Sequence, residues 1–329
     1  MKDNRIAELD FFKGIAIILV VCGHIIQFNW TNAIDSHPVY MWIYSFHMPL
    51  FIFISGFLIN HTNQKRTILI GPFIIRKIKV LVIPYIVWTF IIWPMLDGGA
   101  WGATLMQFVN PNARYWFVYV LFWLCVIYVF CEWGYRKKPL WGGVLLLLIT
   151  SSLIISQSIY PIGLFNSVIQ YIPIFFYGVV ASKFSLTGNR ILTHPITAAL
   201  FFVVFVISSN QYMKFDLSYI NKLMKLLSSF SLCSIVLLFI KEQIISSIDN
   251  NVVINAIKYI GKNSIVIYLT HFGFLTVFMS SLEAMNCLTP FWSFVLSLAL
   301  SSVIILACLI IGLTIERFKW INRLLYGRW

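Results

Sequence analysis

A lysine and a histidine fall on one face of the first apolar segment of this chain. Lys13 stands near the start of the segment, and His24 follows eleven residues later. In a helix that spacing covers about 16 Å, roughly half of a bilayer's hydrocarbon core, and eleven steps of about 100° return to nearly the same face. The pattern predicts a cation at one mouth of a cavity and a titratable base near the midplane. A neutral imidazole near pH 7 can act as a base.

Two more histidines are expected at comparable depth. His271 follows Lys262 by nine residues, about 14 Å along a helix, and His47 follows Tyr40 by seven, about 10 Å. Tyr268 and His271 share one stripe of an otherwise apolar helix. Ionisable residues deep in a membrane usually face a cavity or a partner, so the three histidines predict a polar cavity. The alternative for each is a histidine hydrogen-bonded between helices.

A cluster of basic residues precedes and opens the third apolar segment. Arg76 and Lys79 are expected on one face of that helix, with Lys77 between them, and Pro84 marks a kink site further on. Guanidinium groups bind phosphate in two-pronged fashion, so the cluster predicts a clamp for a phosphate-bearing donor. The alternative is that these charges set the topology and contact anionic lipids. Lys65 and Arg66 belong to the same cluster.

Other chemically capable residues carry weaker signals. Trp116, in an aromatic run at the outer boundary of a segment, is a candidate contact for a substrate, although aromatics there usually anchor a helix. Ser55 has no base at a fixed spacing and is not expected to be a nucleophile. The 6 cysteines show no paired spacing, so we expect buried thiols without disulfides and no metal site.

Composition requires a membrane to position these residues. The chain is 60% hydrophobic and 11% charged, whereas soluble domains carry about a quarter charged residues. Apolar runs of about twenty residues span a bilayer as helices, and these runs lack the alternation of barrel strands. We therefore expect an all-α fold, a polytopic integral membrane helical bundle with about ten transmembrane helices. The expected spans are 11–28, 40–59, 80–96, 115–133, 140–157, 164–182, 196–212, 226–240, 264–282 and 291–314.

Charge placement predicts the orientation of the bundle. With the N-terminus inside, 20 of the 24 lysines and arginines fall in cytoplasmic segments, which is the positive-inside bias. Both termini are then cytoplasmic. The net charge of +13 is mainly a topology signal, and no nucleic-acid partner is expected. No linker divides the chain, so residues 1–329 are expected to form a single membrane-embedded domain with short loops, the longest including 241–263.

Five stretches, in this order and topology, resemble acyltransferase family 3, whose integral-membrane members O-acylate bacterial surface glycans. The resemblance covers essentially the whole chain, and the sequences of these stretches are most similar to those of the sugar O-acetylase branch, which includes fucose acetylases. The stretches are residues 9–24, 45–57, 76–85, 115–117 and 261–271. One position departs from the family pattern, because Lys13 stands where arginine is more usual. Lysine keeps the charge but loses the two-pronged contact with phosphate.

The resemblance implies acetyl-CoA as the acyl donor, entering from the cytoplasm, and no metal. It implies that His24 is the catalytic base on the acyl acceptor's hydroxyl; an alternative in which His24 relays the acyl group stays open. Lys13, with the basic cluster, would bind the donor's phosphates. The remaining candidates contact the acyl acceptor or the developing oxyanion; they are His47, Tyr268, His271 and Trp116.

The resemblance also implies an acyl acceptor and a location. The acceptor would be a sugar hydroxyl of a surface glycan, such as O-antigen, exopolysaccharide or a lipid-linked precursor. The protein would be a multi-pass protein of the bacterial cytoplasmic (inner) membrane, in contact with membrane lipid. A transporter or flippase for a lipid-linked saccharide explains a polar cavity equally well, but it predicts paired interrupted helices that the sequence does not show. The acyl group, the sugar, the side of transfer and the oligomeric state stay open.

Overall fold

A computed structural model describes residues 6–30, 37–64, 67–92, 115–159, 163–212, 214, 218–248, 251–278 and 288–329. All regular structure in these ranges is helical. The first seven helices are α1 (Ala7–Asn29), α2 (Pro38–Asn63), α3 (Ile70–Lys77), α4 (Ile83–Ile86), α5 (Trp116–Lys137), α6 (Pro139–Ile159) and α7 (Gly163–Lys183). The next six are α8 (Pro195–Gln211), α9 (Ser218–Glu242), α10 (Val252–Lys262), α11 (Ser264–Phe278), α12 (Pro290–Glu316) and α13 (Lys319–Tyr326).

The helices are those of a multi-pass membrane protein. Among the described residues, 6 helices are long and apolar enough to cross a membrane, or 7 if a bent helix pair counts as one span. Each of the ten expected spans overlaps a helical segment. The all-α class is therefore confirmed, whereas the number of ten spans and the cytoplasmic position of both termini stay predictions.

The third apolar segment is a helix interrupted by two wider turns. π-Helical turns at Ile78–Val82 and Val87–Ile92 flank α4, which contains Pro84. Proline has no N–H and its ring displaces the carbonyl one turn earlier, which accounts for the π-helical turn before it. The backbone N–H of Ile83 donates to the carbonyl of Ile78 in this way. The predicted kink site thus lies between two wider turns.

The segment expected to be a loop at 241–263 contains a helix instead. The Asn251 side chain caps α10 by accepting from the N–H groups of Val253 and Ile254 at 2.9 and 3.1 Å. The helix is amphipathic and shorter than a span, which is why the search for long apolar runs missed it. It meets α11 at an angle of 81°.

Tertiary packing divides the chain into two compact units, each described here by itself. Unit 1 comprises residues 1–58 and 177–311, and unit 2 comprises residues 59–176 and 312–329. The core of unit 1 lies between α1 and α2, whose buried side chains pack together with Phe205 of α8. Serines of α9 add polar contacts, since Ser228 and Ser229 donate to the carbonyl of Ser45 at 3.1 and 3.3 Å.

Two glycines in unit 1 bring α1 and α10 into backbone contact. A Cβ on Gly14 would overlap the carbonyl oxygen of Ile257, and a Cβ on Gly261 would overlap that of Asp10. Small residues allow such close approach between helices in a membrane. The contact places the end of α10, and hence the start of α11, against the first turns of α1.

In unit 2 the C-terminal segment packs on the third apolar segment. The indole N–H of Trp88 donates to the carbonyl of Leu325 at 2.9 Å. The indole N–H of Trp329 donates to the carbonyl of Lys79, also at 2.9 Å. Gly327 has a φ of +63° and lies against the backbone of Val80, where no other residue type fits without strain. Five cysteines of the described chain are free and buried, as expected: Cys22, Cys125, Cys131, Cys233 and Cys308.

Replacing Gly261 with alanine will destabilise the protein, because the added methyl group meets backbone atoms that cannot rotate away. Overpacking of this kind costs about 1–3 kcal/mol. The matched control is Gly143→Ala in α6, where a Cβ meets nothing within 4 Å. We expect thermal unfolding in detergent, followed by tryptophan fluorescence, to show a lower midpoint for Gly261→Ala alone. Equal midpoints for the two variants would contradict the close packing of α1 on α10.

Candidate functional site

His24 lies at the centre of an aromatic cluster in unit 1. Its ring stacks on that of His271 with centroids 5.5 Å apart, and the Phe272 ring lies 4.9 Å away. The Tyr44 ring of α2 meets His24 edge-on at 6.3 Å. Helices α1, α2 and α11 therefore each contribute a ring.

Two further candidates in unit 1 adjoin this cluster. His47 is buried, and its ring lies 4.7 Å from that of Tyr44, one turn earlier on α2. Tyr268 is buried one turn before His271, with ring centroids 6.0 Å apart. The structure thus brings together the three histidines and the tyrosine that the sequence singled out. Their chemical roles stay predictions.

In His24, His47 and His271, a hydrogen bond holds Nδ1 of the ring. Nδ1 of His24 lies 3.0 Å from Oε1 of Gln27. Nδ1 of His47 lies 2.7 Å from the carbonyl oxygen of Ile43, and Nδ1 of His271 lies 3.0 Å from that of Ile267. Nε2 of His271 is a buried atom without a hydrogen-bond partner in the described structure. The site therefore combines fixed imidazoles with unused hydrogen-bonding capacity.

Tyr44 and Gln27 escaped the sequence analysis although they touch His24. The Tyr44 hydroxyl donates to Oε1 of Gln27 at 2.8 Å and lies 3.3 Å from Nδ1 of His24. Gln27 follows His24 by three residues, a spacing that places two side chains on one helix face. That spacing was a usable signal; the approach of Tyr44 from another helix was not.

His37, which the sequence analysis did not consider, joins two helices in unit 1. It precedes α2, and its Nδ1 accepts from the backbone N–H of Tyr40 at 3.2 Å. Its Nε2 therefore carries the proton and donates to Oγ of Ser293 in α12, 2.8 Å away. Oγ of Ser293 in turn donates to the carbonyl of Pro290 at 2.9 Å. Because His37 donates to this serine, the pair is a structural contact rather than a nucleophile with its base.

The basic cluster belongs to unit 2, where two of its members pack on one phenylalanine. The guanidinium carbon of Arg76 and the ammonium nitrogen of Lys77 each lie 5.6 Å from the centroid of Phe73. Lys79 lies instead 5.2 Å from the Trp329 ring. That Arg76 and Lys79 share a face stays a prediction, and a π-helical turn begins between them at Ile78. Lys65 and Arg66 lie outside the described residues.

A cavity of about 280 Å³ opens beside Arg76. Pockets for whole drug-sized ligands run from about 300 to 1,000 Å³, so this one suits part of a large donor. Arg136 braces this region, since it donates to Glu132 at 2.8 Å and to the carbonyl of Asn63 at 2.9 Å. The cavity lining consists of Asn63, Thr67, Ile68, Leu69, Pro72, Phe73 and Arg76.

The last two candidates have partners of their own. Lys13 forms an ion pair with Asp10 at 2.5 Å, so its charge is partly compensated on α1. The Trp116 ring stacks on Tyr171 with centroids 5.5 Å apart in unit 2. Both contacts are compatible with the predicted binding roles, which stay predictions. Among the described residues no group of three or more His, Cys, Asp or Glu is placed to hold a metal ion.

The described helices are those of a polytopic membrane protein. The cluster of His24, His47, Tyr268 and His271 places polar side chains between these helices. A family model described as an acyltransferase domain, that of acyltransferase family 3, matches residues 6–312. The chain therefore belongs to this family. No solved structure matches the chain significantly.

Two curated relatives are both described as nodulation protein NolL. The chain is 31% identical over 129 residues to the one from Mesorhizobium japonicum, which covers 36% of this chain and 34% of the relative. It is 38% identical over 95 residues to the one from Sinorhizobium fredii, covering 27% and 25%. The matches thus span about a third or less of these relatives.

Acid will loosen the contact that His37 makes. Burial lowers the pKa of His37 below its ordinary value of about 6.5. As pH falls below that value, His37 becomes protonated in the unfolded chain but stays neutral in the folded protein. The stability present at pH 7 is therefore lost towards pH 5. We expect the drop in apparent Tm between these pH values to be smaller in His37→Asn, since asparagine keeps a hydrogen-bond acceptor at the start of α2. An equal drop in the wild type and in His37→Asn would contradict the lowered pKa of His37.

Proposed function

We propose that this protein is a membrane O-acyltransferase that transfers an acetyl group from cytoplasmic acetyl-CoA to a sugar hydroxyl of a surface glycan. The observation that carries the proposal is the stacking of His24 on the buried His271 between helices of a chain that belongs to an acyltransferase family. Such a cluster is costly to maintain in a membrane and needs a chemical reason.

In this reaction the imidazole of His24 takes the proton of the attacking hydroxyl. The hydroxyl oxygen then forms a bond to the thioester carbonyl carbon, and the carbon–sulfur bond breaks. The protonated imidazole returns its proton to the departing thiolate, so that the products are an O-acetyl ester and free CoA. A positioned base contributes about 10²- to 10⁴-fold to such a step.

The donor's phosphates would bind the basic cluster of unit 2. Arg76 lines the cavity, and Phe73 offers an aromatic face beside two cations, a combination suited to a nucleotide. Guanidinium and ammonium groups differ here, because only Arg76 grips a phosphate with two parallel hydrogen bonds. Lys13 is also proposed to bind the donor's phosphates, and a phosphate would then replace Asp10 as its partner.

The acyl acceptor would be a small or lipid-linked sugar presented at the bacterial inner membrane. The proposal follows the surface-glycan acceptors that the resemblance to the family implies and the buried positions of His47 and His271. On this proposal His47 and His271 contact the acceptor sugar. Tyr268 is proposed for the oxyanion, and Trp116 for stacking on a sugar face.

Calorimetry in nanodiscs will show that acetyl-CoA binds the wild-type protein and not a variant with Arg76, Lys77 and Lys79 changed to alanine, since that variant lacks the phosphate ligands. A matched control changes Lys137, Lys138 and Arg190, which are three exposed cations, and should bind as wild type does. The His24→Ala variant should also bind. Equal loss in both triple variants would instead indicate a non-specific effect of charge.

Transfer of radioactive acetyl from acetyl-CoA will separate chemistry from binding. We expect wild-type protein to label a soluble fucoside or a polyprenyl-diphosphate-linked sugar, and the rate with His24→Ala to fall about 10²-fold or more because the base is gone. Purified protein that binds no acyl-CoA yet moves a labelled lipid-linked sugar across a vesicle membrane would replace this proposal with the transporter alternative.

A further inference from the structure

The hydrogen bonds at Nδ1 determine which nitrogen of each histidine is left for chemistry. In His47 and His271 the neighbour of Nδ1 is the carbonyl oxygen of the residue four positions earlier. A carbonyl oxygen can only accept, so Nδ1 carries the proton in both rings. Nε2 then bears the lone pair. Two rings of the cluster therefore present bare Nε2 atoms, and backbone groups alone fix this state.

His24 reaches the same state through side chains rather than through its own backbone. Oε1 of Gln27 lies 3.0 Å from Nδ1 of His24 and accepts from the Tyr44 hydroxyl at 2.8 Å. An amide oxygen has two lone pairs, so it accepts from the hydroxyl and from a protonated Nδ1 together. The distance of 3.3 Å between the Tyr44 hydroxyl oxygen and Nδ1 completes a triangle of three polar groups. Nε2 of His24 is thereby left unprotonated.

We propose that Gln27 and Tyr44 are positioning residues for His24, which keep the proton on Nδ1 so that Nε2 takes the proton of the attacking hydroxyl. This role rests on the proposed acyl transfer with His24 as base. In serine hydrolases a carboxylate at Nδ1 holds the imidazole in one tautomer and orientation. Gln27 does so without charge.

The packing of α1 on α2 fixes both positioning residues. Gln27 lies one turn beyond His24 on α1. The Tyr44 ring packs on that of Tyr40 with centroids 3.9 Å apart. A Cβ on Gly23 would come within 3.0 Å of the Tyr44 ring, so the absence of a side chain there leaves room for the tyrosine beside His24. Gly23 thus makes room for the Tyr44 ring, and that ring contacts the neighbouring His24.

The surroundings of His24 define what else titrates there. Tyr44 and His47 face it from α2, and His271 faces it from α11. Lys225 of α9 lies within electrostatic range of His47. Protonation of any neighbour disfavours the imidazolium form of His24, whereas a carboxylate at Nδ1 would favour it. A glutamate at position 27 should therefore move the activity profile towards higher pH.

The tautomer can be measured without any substrate. We would record nitrogen NMR spectra of histidine-labelled protein in nanodiscs and identify the His24 signals by their loss in His24→Gln. The wild-type ring should show a protonated Nδ1 and a bare Nε2, and Gln27→Leu should show a mixture of tautomers. A wild-type His24 that carries its proton on Nε2 overturns the proposal.

Kinetics then test whether the tautomer matters. With the fucoside or the lipid-linked sugar that the wild type acetylates, kcat should fall at least about tenfold in Gln27→Leu and in Tyr44→Phe, with KM for acetyl-CoA unchanged. Gln27→Glu should keep activity and shift its acid limb to higher pH. Gln211→Leu, a matched loss of an amide at the end of α8, should behave as wild type.

The outcomes separate this proposal from the proposed function. If the wild type transfers no acetyl group, acyl transfer fails, while the NMR spectra still decide the tautomer. If the wild type is active but Gln27→Leu and Tyr44→Phe keep its kcat and pH profile, the positioning role fails and acyl transfer stands.

Discussion

The fixing of Nδ1 in three histidines is the interaction on which the rest of the site depends. A membrane interior offers a polar ring no water, so each ring must bind a partner supplied by the protein. His47 and His271 bind their own backbone, and His24 binds Gln27. Satisfying one nitrogen in this way orients the ring and leaves the other free. The constraint that makes these residues costly thus also prepares them for chemistry.

Close backbone contact is the second requirement. Helix α10 approaches α1 because Gly14 and Gly261 carry no side chains, and α11 continues from α10 after a bend of 81°. His271 therefore reaches His24 only because two small residues lie nearer the helix ends. Lipid provides little drive for helices to associate, so van der Waals contact of this kind supplies much of the stability. The glycines of the motifs have a structural role, and the chemical role of the histidines they accompany is a proposal.

In unit 2 aromatic rings hold the cations of the basic cluster. Arg76 and Lys77 pack on Phe73, and Lys79 packs on Trp329, so each charge lies over an aromatic face while its polar end stays available. A π-helical turn, Ile78–Val82, begins between Arg76 and Lys79.

The sequence by itself determined the membrane class, the positions of the long helices and the choice of His24, His47, Tyr268 and His271, because helical periodicity and hydropathy are local properties. It also suggested the family, which the match over residues 6–312 shows. Only the tertiary structure decided that Tyr44 meets Gln27 at His24 and that His37 binds Ser293. These facts depend on which helix faces which neighbour, and no spacing along one chain segment encodes that.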